Sequence, residues 1–195
     1  MTAASPMRVS LEEYLELEAR SPDVKHEWHD GVVYAMSRGT PEHARLTFRI
    51  TQLLLALEKT CQGYAAGAML YIERAKLSTY ADAFVVCGAL ETKNVMKNGR
   101  SLGEAVTNPT VIVEVLSDST ERYDRDGKFQ AYKQIASLEE YVLVGQYEPL
   151  VEVYRRQPSG EWTCATGGPG TSFIVHGAEL RVDELYAGAL TEPDT

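Results

Sequence analysis

Asp82, Glu114 and Lys128 are the residues whose types and spacing could do chemistry. Glu114 stands inside Val111-Ile-Val-Glu-Val-Leu116, where every other residue suits a buried strand. Asp82 opens a second such run, Asp82-Ala-Phe-Val-Val-Cys87. Both parities of each run are largely apolar, the mark of strands covered on both faces. An ionised carboxylate buried there is costly unless it is paired or binds a cation. If the two strands are neighbours, the carboxylates converge on one point. Such a pair suits a hard cation, magnesium or in its place manganese, which keeps waters for itself and its substrate. A cation so held lowers the pKa of a bound water and stabilises charge on a phosphoryl oxygen. Lys128 follows Gly127 at the start of a helical segment just after the Glu114 strand, so its amine can reach back to the same point. There it could orient the attacking water or stabilise developing negative charge. Each residue alone has a plainer reading. Glu114 could be a structural acid bonded to an arginine or to backbone amides, Asp82 a strand-end cap, and Lys128 a solvated lysine in a polar Asp-Arg-Asp-Gly-Lys turn. Their joint order on strand, strand and helix favours the site.

The elements that must position these residues are legible to different degrees. Ser10-Leu-Glu-Glu13 is a capping box, with a helix to about Arg20. Lys25 to Met36 reads as two short strands around the Asp30-Gly31 turn signal. Thr40-Pro41 starts a helix, and Leu46, Ile50, Leu53, Leu54 and Leu57 carry it to about Thr60, with the apolar face for packing across a sheet. Met69–Glu73, Asp82–Cys87 and Pro109–Leu116 are strands, and the polar segment Ala89–Asn108 reads as a long loop. A helix follows from about Asp124 to Ile135. Tyr141–Gln146 and Leu150–Arg156 make a hairpin, and two weaker strands lie near Trp162 and Phe173. The fold class is mixed α/β: a central mixed sheet flanked by helices, with an added antiparallel hairpin region. One domain over 1–195 is expected, with an ordered core at about 8–188 and an acidic tail at 189–195.

Bulk properties narrow the function. With 44% hydrophobic and 24% charged residues, the chain has an ordinary globular composition. The amino terminus shows no basic stretch followed by an apolar one, and no apolar run approaches the roughly 18 residues of a membrane span, so a cytoplasmic protein without a membrane partner is expected. Cys61, Cys87 and Cys164 are odd in number and far apart, which reads as reduced thiols. A net charge of -9 argues against a broad basic surface for nucleic acid, yet leaves room for a hydrolase whose site is built from carboxylates.

The run from Lys25 to about Tyr186 resembles the Uma family, a bacterial family of restriction-endonuclease-like proteins within the PD-(D/E)XK nuclease superfamily. The resemblance rests on Lys25-His-Glu-Trp-His-Asp-Gly31, Pro41-Glu-His43, Tyr80-Ala-Asp-Ala-Phe-Val-Val-Cys87, Asn108-Pro-Thr-Val-Ile-Val-Glu-Val-Leu-Ser117, Ser119-Thr-Glu-Arg-Tyr-Asp-Arg-Asp-Gly-Lys128 and Ser137-Leu-Glu-Glu-Tyr141. It implies a restriction-endonuclease-like core, Asp82 and Glu114 as metal ligands, and Lys128 as the superfamily lysine displaced onto the following helix. Ala81 replaces the proline usual before the first acid, and Leu116 stands where the commoner Glu-x-Lys form has its lysine.

Glu27 occupies a motif that in similar proteins adds an amino-terminal acid to the metal site; a solvated acid before a turn is the competing reading. His43 could touch substrate or simply cap its helix, and Arg125 is a candidate phosphate contact among interleaved acids. His26 and His29 flank Glu27, but further ligands for a zinc site are missing. The leading reading is a magnesium-dependent endonuclease that hydrolyses phosphodiester bonds of DNA, with Asp82, Glu114, Lys128 and Glu27 catalytic. A homodimer is expected, because cutting both strands needs two sites. The alternatives are a catalytically inactive interaction or dimerisation module on the nuclease fold and, more weakly supported, a hydrolase of small phosphoesters.

Overall fold

The structure, a computed structural model, describes residues 8–36, 39–54 and 60–188. In chain order its elements are α1 (Leu11–Arg20), β1 (His26–His29), β2 (Val32–Ala35), α2 (Pro41–Leu54), β3 (Cys61–Ala65), β4 (Met69–Ile72), β5 (Leu77–Thr79), β6 (Ala83–Cys87), β7 (Thr92–Lys97), β8 (Arg100–Val106), β9 (Val111–Leu116), a π-helical turn (Tyr123–Lys128) that continues as α3 (Phe129–Tyr132), β10 (Glu140–Gly145), β11 (Val151–Arg156), β12 (Trp162–Gly167), β13 (Ser172–Val175), β14 (Ala178–Arg181) and α4 (Val182–Tyr186).

Local chemistry accounts for the ends of several elements. The Glu13 N–H donates to Ser10 Oγ at 3.2 Å, and the Ser10 N–H donates to the Glu13 carboxylate at 2.7 Å, which closes the capping box of α1. Asp30 and Gly31 both have positive φ, 43° and 91°, as a two-residue hairpin turn between β1 and β2 requires. The His43 N–H donates to Thr40 Oγ1 at 3.1 Å, so Thr40 caps α2 ahead of Pro41. The expected continuation of this helix to Thr60 runs through 55–59, outside the described residues, as does the acidic tail 189–195.

Six strands form the sheet that holds both acids, in the order β12-β11-β10-β9-β6-β3. Only β9 and β10 are parallel within it, and the chain between them supplies the π-helical turn and α3. Every residue of β9 is buried. Val111, Val113 and Val115 face a core shared with Leu46, Ile50 and Leu54 of α2 and Val182 and Leu185 of α4. Ile112 and Leu116 face the opposite core with Phe129 and Tyr132. Glu114 shares their parity, so its side chain starts toward the α3 side.

A second six-stranded sheet, ordered β2-β1-β5-β4-β8-β7, lies beside that same face: Leu70, Ile72 and Leu77 join the core around Phe84 and Tyr132. Its other face is closed by α1, where Tyr14 and Leu15 pack with Trp28 and Tyr71. The chain changes sheets several times, and the crossing from β5 to β6 runs through Tyr80–Asp82. A two-stranded ribbon, β13–β14, completes the sheets.

Two sequence expectations are corrected. Residues 89–108 are not a long loop but contain the β7–β8 hairpin, turned at Asn98-Gly99 with φ of 50° and 76°. The strand is polar because alternate residues of β7 are exposed, and the burial of the others is only partial. Cys61 and Cys87 do not stand apart as reduced thiols: they are directly opposed across β3 and β6 and joined as a disulfide. Their separation of 26 residues hides a register that only strand pairing reveals. Cys164 is free and exposed. Among the described residues, no helix is long and apolar enough to cross a membrane.

Candidate active site

Four elements bring their acids and bases to one place. β9 supplies Glu114, the residue just before β6 supplies Asp82, β1 supplies Glu27, and the π-helical turn supplies Asp124 and Lys128. The acids of β6 and β9 are locked together through the main chain. The Val115 N–H donates to Asp82 Oδ2 at 2.7 Å, while the Asp82 N–H donates to Glu114 Oε2 at 3.3 Å. Lys128 Nζ lies 3.2 Å from Glu114 Oε1, 3.0 Å from Glu27 Oε1 and 3.3 Å from Asp124 Oδ1. Tyr132 donates its hydroxyl to Glu114 Oε1 at 2.8 Å.

The sequence-expected trio therefore converges, with Lys128 buried rather than in solvent. Glu27 is buried too, which removes the solvated reading. Period-2 geometry explains this: Trp28 turns into the α1 core, so its neighbour Glu27 turns to the other face, toward β9. Thr79 donates its hydroxyl to Glu27 from the end of β5.

His43, at the start of α2, comes within 3.1 Å of Asp82 Oδ2 through Nε2. The Asp82 hydrogen bond holds its imidazole above the ordinary histidine range, against the opposing effect of burial. Arg125 points elsewhere, with its guanidinium between Glu121 and Glu152. His26 is held by Glu18 at 2.7 Å, and His29 approaches Tyr123 at 3.5 Å; neither joins the acid cluster.

Two members had no expected role, Asp124 and Tyr132. The signal was present as a stripe, because Asp124, Lys128 and Tyr132 recur every four residues along one helical face. The wide π-turn presents the first two inward together. Gly127 is required here, since a β-carbon at this position would stand 2.6 Å from the Tyr123 ring that lies over Lys128.

The cluster has more negative than positive groups. Three buried carboxylates surround one ammonium. Burial pushes the Glu114 carboxyl well above the usual carboxylate range, with Lys128 opposing and Asp124 and Asp82 adding to the rise. Asp124 is raised for the same first reason, burial. Burial also disfavours charge on Lys128, but Glu114, Glu27 and Asp124 more than offset this and keep it protonated.

Asp82 and Glu114 could hold a divalent cation. The donors are oxygen only, and Asp82 Oδ1 accepts no hydrogen bond from the described residues. Among the described residues, Glu114 Oε2 carries only the long main-chain bond. The Glu114 carboxyl, raised by burial, would give up its proton to a hard cation held here.

The chain is similar to known proteins in sequence and in fold. A family model, Uma2, with the description "Putative restriction endonuclease", matches residues 11–181. The chain belongs to the Uma2 family. It is 33% identical over 196 residues to the uncharacterized protein slr1290 of Synechocystis sp., covering 96% of this chain and 98% of that one. A second Synechocystis protein, uncharacterized sll1609, is 30% identical over 164 residues, covering 83% of this chain and 89% of the other. Among solved structures, a putative nuclease belonging to DUF820 from Anabaena variabilis matches with a TM-score of 0.63. Its sequence identity is 14%, with 83% of this chain and 89% of that chain covered. At that identity the likeness shows the fold, a nuclease fold with a restriction-endonuclease-like core.

Proposed function

We propose that the protein is a divalent-metal-dependent endonuclease that hydrolyses phosphodiester bonds of DNA. The convergence of Asp82, Glu114 and Lys128 from β6, β9 and the π-helical turn carries the reading. Family membership and a nuclease fold support it. Asp82 and Glu114 would hold magnesium, with manganese as a substitute. The bound ion would supply Lewis acidity toward a phosphoryl oxygen and a more acidic bound water.

The chain's own residues do the rest. Glu114 is aimed by the all-buried β9 and held by Tyr132 and Lys128. Lys128, kept charged by its carboxylates, stabilises negative charge developing at the phosphate and orients the attacking water. Glu27, from β1, fixes the ammonium. His43, bonded to the more exposed of the two acids, stands where a substrate phosphate would approach and can carry a proton there. A homodimer would place two such sites on a duplex.

A second reading, an interaction module that keeps the nuclease fold, draws on one observation: Lys128 is enclosed by three carboxylates and 5% exposed. Calorimetric titration with magnesium and manganese separates the two. The nuclease reading expects saturable uptake that Asp82→Ala abolishes; wild-type protein that takes up neither ion supports the module instead.

A further inference from the structure

A different set of ligand types meets at the far end of β6. Cys87, the last residue of that strand, and Cys61, the first of β3, are paired partners with Cα atoms 4.0 Å apart. Their side chains share the face toward α2 and the β13–β14 ribbon. His176, at the turn of that ribbon, brings Nε2 to 3.1 Å from Cys87 Sγ. The ligand atoms of Cys61, Cys87 and His176 all lie within 4.8 Å of one another, and among the described residues no other group of three such side chains does so.

The histidine is held in place from behind. Its Nδ1 lies 3.3 Å from the Glu139 carboxylate, and its backbone N–H donates to Glu140 at 2.7 Å. A histidine whose second nitrogen is fixed by a carboxylate, with its first turned to a soft ligand, is the outer-sphere arrangement of histidine metal sites. His176 takes φ of +44°, followed by Gly177 at +86°, so a tight hairpin turn fixes the ring's direction. A cavity of about 580 Å³ opens beside His176 and Glu139.

We infer that Cys61, Cys87 and His176 form a zinc site once the disulfide is reduced. Two thiolates and an imidazole select zinc over magnesium, and three protein ligands leave a fourth tetrahedral position for water or an outside ligand. Reduction by a dithiol forms the reductant's own disulfide and two protein thiols. Zinc then displaces the two thiol protons to solvent, and oxidation to the disulfide would leave no thiolate to bind. Zn–S bonds of about 2.3 Å need the sulfurs farther apart than a covalent bond, which rotation about the two Cα–Cβ bonds provides. The site is independent of the acid cluster, because five residues of strand, roughly 17 Å, separate Cys87 from Asp82.

The test uses full-length protein, reduced with a dithiol that is then removed anaerobically, and titrated with zinc against a chromophoric chelator and with cobalt(II) by absorption. One equivalent is expected to bind, and cobalt should show a thiolate-to-metal charge-transfer band with intense tetrahedral ligand-field bands. Protein with the disulfide intact should bind none at this site. Cys87→Ser should abolish the charge-transfer band, and Glu139→Gln should weaken zinc about 10–100-fold. His176→Asn, which tolerates the left-handed turn and keeps both cysteines, should also lose tight binding, and its thermal unfolding reports whether it folds. Asp82→Ala should leave zinc uptake intact. The inference is overturned if reduced protein binds no zinc, if folded His176→Asn binds as wild type does, or if Asp82→Ala removes the uptake.

Discussion

At the scale of single residues, three buried carboxyl groups share one ammonium. Removing Lys128 leaves Glu27, Glu114 and Asp124 buried without their cation. Lys128→Met should therefore cost about 3–5 kcal/mol in urea unfolding. The reverse holds for Glu114. Its carboxyl is raised by burial, so the folded protein holds this proton at pH values where the unfolded chain has lost it. Stability from this group is present in the acid range and declines as pH rises through its elevated value. Glu114→Gln should lack that decline: in metal-free protein near neutral pH the variant should be at least as stable as wild type, with its advantage shrinking as pH falls. Unfolding midpoints measured across pH check this sign.

At the scale of elements, α2 has two roles. Leu46, Ile50 and Leu54 cover one face of β9, while its capped start presents His43 to Asp82. Thr40→Ala should cost about 1 kcal/mol and loosen that start, lowering the His43 pKa toward the ordinary histidine value in an NMR titration. An unchanged imidazole pKa would separate cap from site. The elements also show what the sequence could and could not reveal. β6, β9, α2 and the β10–β11 hairpin were legible because apolar periodicity and turn chemistry are local signals. The second sheet was legible only in part: the β1–β2 hairpin and the strand from Met69 could be read, but β5 has only three residues, and β4 pairs in parallel with β8, far along the chain. Without that sheet the burial of Glu27 could not be read. The β7–β8 hairpin reads as a loop because it is polar, although Asn98-Gly99 announces its turn. The pairing of Cys61 with Cys87 likewise depends on the β3–β6 register.

At the scale of the whole molecule, the acidic balance and the surface ion pairs set how the protein meets its substrate. Lys93 is engaged by Glu73, Lys97 by Glu16 and Arg125 by Glu121 and Glu152, which withholds these three cations from phosphates. DNA association should therefore depend weakly on salt, with a log–log slope of no more than about three phosphates. A steep slope would place a basic surface where none is described. Metal should stabilise the fold by mass action, about 2.7 kcal/mol at a hundredfold excess over its dissociation constant, and Asp82→Ala should erase that gain in thermal unfolding.

The most direct measurement is cleavage of single-stranded, duplex and supercoiled DNA with magnesium or manganese, comparing wild type with Glu114→Ala. The site described here predicts nicking or linearisation that needs the metal and disappears in Glu114→Ala. Cleavage that survives in the variant, or wild-type protein that cuts none of the three with either ion, would contradict it.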